Sequence, residues 1–393
     1  MDNERNIQSP KQRSSLLKYP ARNEIIQRKT DGIYTNGVDN LYPQRIERVR
    51  DASVTAKTAT AMLSRFIIGN GFEDDRLNSL VVNSDLFGET TLLRLATQLA
   101  QTLATHSACS LQIQYDGLLK ISGVKQIPYR DIRFGRSDSK GYTGKIHTST
   151  KWDKITNAKD AICVDIFNPI QSVLVEQSNT KKWRGQIAVL KYDSDFIYPL
   201  ATFDAAFEDA DTENQIALFK NKELRGGFFA KYIIHHSQFN TEEDAAEFKG
   251  HVNGFMGGGH EKSTLLLEGS FDADGKFIRS DSIAIEKIEQ NINDKIFEGY
   301  EKTISNNIRK ICCAIPKILI DSEDSSIFGQ SGEAIIQAVN FYNMQTSGYR
   351  TALSEFLRMI LKHHTDANIS SITNFNIKTL SYGIVDISGS AGN

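Results

Sequence analysis

The sequence is short of the features that mark several large classes of protein. Its 393 residues hold four cysteines, Cys109, Cys163, Cys312 and Cys313, with no Cys-x-x-Cys pair among them. That spacing gives neither a disulfide framework nor a zinc ribbon, and it fits a reducing or redox-neutral setting. Long apolar runs are missing as well. The longest span only a few residues, such as Phe66–Ile68, far below the ~20 residues of a membrane-spanning helix. The first residues, MDNERNIQSPKQRSS, lack the apolar stretch of a secretory signal. An excess of one charge is absent too: 46 Lys+Arg stand against 48 Asp+Glu, a formal net charge of −2. Such a balance excludes a chain that coats nucleic acid through bulk electrostatics, while leaving room for local basic stripes.

What is present reads as globular. Apolar residues make up 40% and charged residues 24%, an ordinary composition for a folded chain. The length allows two or three domains, or one elaborate one. Residues 1–30 read as a flexible arm carrying seven basic residues and three acidic ones, a net of +4. A helical pattern over Arg45–Ile68 stops at Gly69-Asn70-Gly71. A second helix over Thr90–Ser107 shows a stripe of Leu92, Leu95, Leu99 and Leu103. The period then falls to two. Strands are predicted at Ser110–Gln114, Leu118–Val124, Ile127–Phe134, Ala161–Phe167, Ser172–Val175, Gln186–Tyr192 and Phe228–His235, with a loop or weak hairpin over 137–160.

After Pro199 the pattern is helical again. Residues 203–223 carry six acids against two lysines and read as a helix that Gly226-Gly227 breaks. A small mixed α/β insert is expected over 223–268, with a helix at Glu242–Phe255, a glycine cluster at 257–259 and a strand at Ser263–Glu268. Over Asp281–Cys313, Ile288, Ile292, Ile296, Tyr300, Ile304 and Ile308 recur every four residues. Read as one helix of ~50 Å, this apolar stripe winds around it by ~40° per step, which is not a coiled-coil pattern. Lys287, Lys295, Lys302 and Arg309 then share an arc of ~80° on the opposite side. A polar stretch leads to Gly332, followed by a long helix over Glu333–His364 and a strand over Asn374–Tyr382.

Few residues invite chemistry. Gly257-Gly258-Gly259-His260-Glu261-Lys262-Ser263-Thr264 superficially looks like a phosphate loop, but His260-Glu261 interrupts the Gly-Lys-Ser/Thr triplet such a loop needs. The segment also follows a helix and precedes a strand, the reverse of the required order. Neighbouring histidines, His235-His236 and His363-His364, point apart on a strand and about 100° apart on a helix, which suits chelation poorly. No Gly-x-Ser-x-Gly, His-Glu-x-x-His or paired-carboxylate motif stands out. No catalytic residue, cofactor or metal is assigned, and the expectation is a structural or binding protein rather than an enzyme.

A succession of short motifs carries a likeness. Asp39-Asn40-Leu41-Tyr42-Pro43 is followed by the helix Ser53–Ile68 and the turn Ile68-Gly69-Asn70-Gly71-Phe72. Then come Leu92–Ser107, Leu111–Tyr115 and Ile127-Pro128-Tyr129-Arg130-Asp131-Ile132-Arg133. Tyr198-Pro199-Leu200, Gly226-Gly227-Phe228-Phe229, Ile315-Pro316-Lys317-Ile318-Leu319-Ile320 and Phe328-Gly329-Gln330-Ser331-Gly332-Glu333 complete the series. No single motif is specific. Their order and spacing over residues 31–382 resemble the portal proteins of tailed bacteriophages.

The resemblance implies an α+β protomer with an α/β wing, two long stem helices, a small α/β clip and a long kinked helix, assembled as a ring, usually a dodecamer. It divides the chain into a basic arm (1–30), wing (31–202), first stem helix (203–222), clip (223–268), second stem helix (269–313), tunnel loop (314–332) and a wing or crown helix with a terminal strand (333–393). It implies a virion protein at the capsid vertex, assembled in the host cytoplasm, whose channel passes double-stranded DNA during packaging and ejection. Its partners would be further copies of itself, the terminase large subunit, the capsid protein or scaffold, and neck or adaptor proteins, with no membrane. Lys287, Lys295, Lys302, Arg309, Lys317, Ser322, Ser325, Ser326 and Gln330 become candidates for facing the channel. Balanced charge there suits sliding, because each phosphate contact adds affinity. The alternatives are a nucleotide- or metal-dependent enzyme using Gly257–Thr264, or another ring-forming head–tail connector.

Overall fold

The computed structural model describes residues 32–381 apart from 87, 137–143, 156, 180–182, 193–196, 226–230, 237–241, 244–245, 247–269, 272–276, 279–282, 289–293 and 321–331. The chain divides into two compact units, 1–210 with 305–393, and 211–304.

In the first unit, the helical pattern over Arg45–Ile68 is two helices, α1 (Tyr42–Ala52) and α2 (Val54–Ile68). Pro43 lies in the first turn of α1, where a missing N–H costs nothing. Ser53 separates the two helices, and its hydroxyl accepts the Ala56 N–H at 3.0 Å, a normal N-cap bond worth about 1 kcal/mol. Ala56, Ala59, Leu63, Phe66 and Ile67 form the buried face of α2. Gly69 ends it at φ 50°. A Cβ there would meet the Lys378 carbonyl oxygen at 1.9 Å, so the turn admits no side chain.

A short helix α3 (Asp75–Ser79) and a hairpin of β1 (Val81–Asp85) and β2 (Gly88–Thr91) lead into α4 (Leu92–His106). Leu92, Leu95, Leu99 and Leu103 of α4 are buried as their spacing predicts. Four leucines removed from water at ~1.5–3 kcal/mol each outweigh any propensity term in fixing this helix. Ser107, left-handed at φ 53°, turns the chain into the sheet.

The sheet has six strands in the order β4-β3-β8-β7-β6-β5: β3 (Ala108–Tyr115), β4 (Ile121–Ile127), β5 (Ile132–Phe134), β6 (Lys145–Thr148), β7 (Ile162–Ile166) and β8 (Gln186–Lys191). All pairs are antiparallel except β7 with β8. Between those two, the expected strand Ser172–Val175 is instead a helix, α5 (Gln171–Ser178). The Asn168 side chain accepts the Ile170 N–H at 3.0 Å and starts that helix. Buried Gln186 holds it by donating to the Asn168 carbonyl and to the Gln177 side chain. These bonds override the β preference of Val173 and Val175.

Helix α6 (Phe207–Arg225) follows, and the boundary between the units falls within it. In the second unit β9 (Lys231–His236) pairs antiparallel with β12 (Ile283–Ile288), and β10 (Ser270–Phe271) with β11 (Phe277–Ile278). The expected single helix Asp281–Cys313 is therefore corrected to a strand and a shorter helix, α7 (Asp294–Ile311). Only Ile288 of the four-residue stripe falls in β12, where Ile283–Ile288 pair residue by residue, antiparallel, with Lys231–His236 of β9, while Ile296, Tyr300, Ile304 and Ile308 fall in α7. Ile304 is buried, whereas Tyr300 is exposed, so the winding stripe does not hold along its length. In this unit Phe219 stacks on Phe297 at 5.8 Å and Lys220 pairs with Glu301. The helix expected at 242–255 and the glycine cluster lie almost wholly outside the described residues.

Returning to the first unit, the predicted helix Glu333–His364 is two, α8 (Gly332–Gln345) and α9 (Ser347–Leu361), which Thr346 separates. A short helix α10 (Ala367–Ser370) follows. The strand expected at Asn374–Tyr382 is reduced to one bridge, Ile377 to Phe72. Around it, Lys378 N–H donates to Gly71 at 2.7 Å, Asn70 N–H to Lys378 at 3.0 Å and Glu73 N–H to Asn376 at 2.8 Å. The molecule is of mixed helix and sheet, as the sequence predicts.

Candidate functional site

The motifs that are far apart in sequence meet in the first unit. Asn40 takes the left-handed conformation at φ 61°, which asparagine tolerates better than most residues. Its side-chain oxygen accepts the Asn36 N–H at 2.9 Å and Arg133 Nε at 2.5 Å. Arg133 is the largest fully buried side chain among the described residues. Its remaining nitrogens donate to the carbonyls of Asn40, Arg130 and Ile132 at 2.5, 2.9 and 2.6 Å. The guanidinium also lies over the Trp152 ring at 4.9 Å, a cation–π contact. Burial brings its pKa down to about 10, so it stays charged at neutral pH. Desolvating a charge is costly unless its donors are satisfied, and here four bonds and one ring do so.

Two tyrosines lock the same junction. Tyr198 donates to the Tyr34 carbonyl at 2.7 Å and accepts the Phe134 N–H at 2.8 Å. Tyr42 donates to Asp204 at 2.5 Å and accepts the Ala201 N–H at 2.9 Å. The Asp-Asn-Leu-Tyr-Pro, Asp-Ile-Arg and Tyr-Pro-Leu segments are thus parts of one knot of buried polar bonds. It ties residues 34–42, 130–134 and 198–204 to one another.

Beside it lies a cluster that the sequence does not announce. Glu47 bonds His106 Nε2 at 3.0 Å and Arg130 Nη1 at 2.5 Å. Burial raises the Glu47 pKa, but the bonds from His106 and Arg130 outweigh it and bring the carboxyl down to about 2. Burial pushes His106 below its usual value, against the pull of Glu47. A neutral imidazole donating to a carboxylate, with Arg130 as counter-charge, is the arrangement this favours at pH 7. Asp131 nearby is raised, chiefly by burial. An open polar depression beside this cluster is bordered by Gln44, Arg48 and Asp51. No nucleophile stands against a base here. Among the described residues, no group of three or more His, Cys, Asp and Glu side chains is placed to hold a metal.

The candidate channel residues are dispersed among elements. Lys287 is in strand β12 and Lys295 in the first turn of α7. Lys287 therefore does not share a helical face with the other three, contrary to the sequence expectation. Lys302 is exposed and pairs with Glu298 at 2.7 Å one turn away. Arg309 donates to Asn306 and to the Ile315 carbonyl, the latter at 3.4 Å. Lys317 opens a single 3-10 turn, Lys317–Leu319. Ser322, Ser325, Ser326 and Gln330 lie outside the described residues. Lys295, Lys302 and Arg309 sit at seven-residue steps on α7, each step turning the position by only ~20°.

No protein-family model matches the chain, and no curated protein matches it. Solved structures do. A chain in the neck of an empty gene transfer agent particle, computed with C6 symmetry, is 12% identical, with 83% of each chain covered and a TM-score of 0.50. An HK97-family phage portal protein from Corynebacterium diphtheriae is 12% identical, covering 86% of this chain and 99% of that one, with a TM-score of 0.42. A chain in the neck of the native particle, computed with C12 symmetry, is 11% identical over 81% of each chain, with a TM-score of 0.47. The chain has the fold of a protein from the neck of a gene transfer agent particle, over most of the length of both.

Proposed function

We propose that this protein is a portal: a ring of identical chains through which double-stranded DNA enters and leaves a phage-like capsid. The observation that carries the reading is the shared fold with the gene transfer agent neck chain over 83% of both chains. The ordered portal-like motifs are independent support, because the neighbour is only 12% identical. No catalytic constellation is assigned to it; the work of driving DNA belongs to a separate terminase, docked on the clip.

In this reading residues 31–202 form the wing, 203–222 and the helical part of 269–313 the stem, 223–268 the clip and 314–332 the tunnel loop. Residues 333–393 return to the wing or a small crown, and the basic arm 1–30 meets capsid, scaffold or DNA. The ring is expected to hold twelve copies in the virion, with neck or adaptor proteins added after packaging. The seven-residue stripe Lys295, Lys302 and Arg309 is the element proposed to face DNA on α7, with Lys287, Lys317, Ser322, Ser325, Ser326 and Gln330 contributed by other segments. Cations tied to acids, as Lys302 is to Glu298, would hold phosphates weakly and let DNA slide.

Negative-stain electron microscopy with mass photometry tests this. Closed rings with a central hole are the expected result. A monodisperse monomer that binds ATP or zinc stoichiometrically would overturn the reading.

A further inference from the structure

Residues 374–378 run antiparallel to the turn at 70–73, with Ile377 opposite Phe72. The bonds between them, Glu73 N–H to the Asn376 carbonyl and Lys378 N–H to the Gly71 carbonyl, use the backbone of Asn376 and Lys378. In an antiparallel pair the backbone groups of alternate residues point to opposite sides. Those of Phe375 and Ile377 therefore point away from 70–73, and they have no hydrogen-bond partner among the described residues. Both residues are buried, at 2% and 8% exposure. Buried backbone groups are seldom left unpaired.

A polar groove of about 440 Å³ runs between residues 373–377 and the face of α9 that carries Ser347, Thr351, Ser354 and Arg358. Arg350 also lines it, but its Nη1 is committed to the Phe66 carbonyl and the Thr346 hydroxyl, and its Nη2 to the Asn343 carbonyl. Asn343 donates in turn to the Leu380 carbonyl at 2.8 Å. Residue 380 is thereby held one helical turn from Ser347, at one end of the groove. The twelve residues 382–393 follow and lie outside the described residues. Gly383 suits a turn, and Ile384-Val385-Asp386-Ile387-Ser388 has strand composition. A return about a five-residue loop, 379–383, is an ordinary hairpin. It sets Ile377 opposite Val385, Asn376 opposite Asp386, Phe375 opposite Ile387 and Asn374 opposite Ser388. Apolar meets apolar and polar meets polar in each pair, a match that a slip of one residue would destroy. Five residues of strand span ~17 Å, which equals the length of α9 between Ser347 and Arg358.

We propose that this groove is a strand-accepting site and that residues 384–388 of the same chain fill it, pairing with the open edge of 374–378. Val385 and Ile387 then present their backbone groups to Ile377 and Phe375, and the edge is no longer available to a strand from another chain. A segment tethered at Ser381 has an effective concentration of about a millimolar, which favours it over a segment arriving from outside. The pairing rests on contacts within the first unit and stands whether or not rings form.

Disulfide trapping in the full-length chain tests it, in a Cys163→Ser background because Cys163 is exposed. Asn376 and Asp386 would form a non-hydrogen-bonded pair with Cα atoms ~4.5 Å apart, within disulfide range. Asn376→Cys/Asp386→Cys should therefore oxidise to a cross-link within one chain. It should do so several-fold faster than Asn376→Cys/Val385→Cys, whose second thiol points to the opposite face. Equal rates, or no cross-link in either, would overturn the proposal. So would cross-linked dimers on a non-reducing gel, which would give the groove to the tail of another copy. If Asn376→Cys does not fold, Asn374→Cys/Ser388→Cys takes its place, with Asn374→Cys/Ile387→Cys as control. Hydrogen exchange over 371–378 is the second measurement. Val385→Pro, which removes a ladder N–H, should speed it, whereas Asp386→Pro, whose N–H faces away from 374–378, should not. Equal effects of the two prolines would overturn the pairing.

Discussion

Buried charge in this molecule is used for holding segments together, and single substitutions should expose that. Arg133→Met removes four hydrogen bonds and leaves the Asn40 side-chain oxygen and three carbonyls short of a donor. A loss of about 3–5 kcal/mol in urea unfolding is expected, the usual cost of breaking such a buried charged network. Arg133→Lys should recover little of it, because the geometry is a planar fork. Glu47 makes a second prediction, in pH. Its carboxyl lies at about 2 in the folded chain against an ordinary value of 4.5. A depressed folded pKa contributes stability above 4.5 that is lost as the pH falls towards 2. Glu47→Gln should therefore be less stable than the parent at pH 7, and the gap between their urea midpoints should narrow steadily below pH 4.5. A gap that stays constant down to pH 3 would contradict the assignment.

At this scale the sequence is partly legible. Asn40, Tyr42, Arg133 and Tyr198 stand in motifs that the sequence alone displays. Their being partners of one another is not displayed, since Asn40 and Arg133 are 93 residues apart. His106 gives no signal, being the last residue of a helix with nothing around it to mark a carboxylate partner. Arg350 does give one. It falls in step with Val339, Tyr342, Thr346 and Leu353, on the apolar face of its helix, where a charge needs an explanation.

Elements are legible where the hydrophobic period is unambiguous. The leucine stripe of α4 is the clearest case, and Leu99→Ala there should cost about 2–5 kcal/mol, seen as a fall in the urea midpoint. The mismatches share a cause. Only Ile288 of the four-residue stripe lies in β12, and that segment is fixed by its pairing with β9, far earlier in the chain, rather than by its own pattern. Val173 and Val175 favour a strand by type, yet Asn168 starts a helix there and Gln186, in a strand further along the chain, holds it. Gly69 illustrates the opposite, a turn legible as a stop but not in its purpose. Gly69→Ala would press a methyl into the Lys378 carbonyl, so residues 374–381 should detach and be cut by protease before the rest of the chain.

At the level of the whole molecule, the mixed helix-and-sheet class follows from the sequence, while the architecture of 211–304 does not. The placement of candidate DNA contacts suffers for the same reason: it depends on a helix that is shorter than its pattern. The two compact units carry separate apolar contacts, Leu99 in one and Phe219 with Phe297 in the other. Calorimetry should resolve two transitions, because cooperativity is a property of each packed core. Leu99→Ala is expected to lower one transition and Phe219→Ala the other. A single transition that both substitutions move equally would mean the units unfold as one.

The pairing of Phe72 with Ile377 also has a consequence for biogenesis. The Glu73 carboxylate bonds Asn376, 303 residues further along the chain. At a ribosomal rate of ~5–20 residues per second, that partner arrives ~15–60 s after the turn it completes. Through that interval the turn at 69–73 waits with these contacts unmade, while 211–304 is synthesised. A chaperone that shields newly made apolar surface should thus be needed most in the final seconds of synthesis, and a chain released early by even a few dozen residues would be a misfolding hazard.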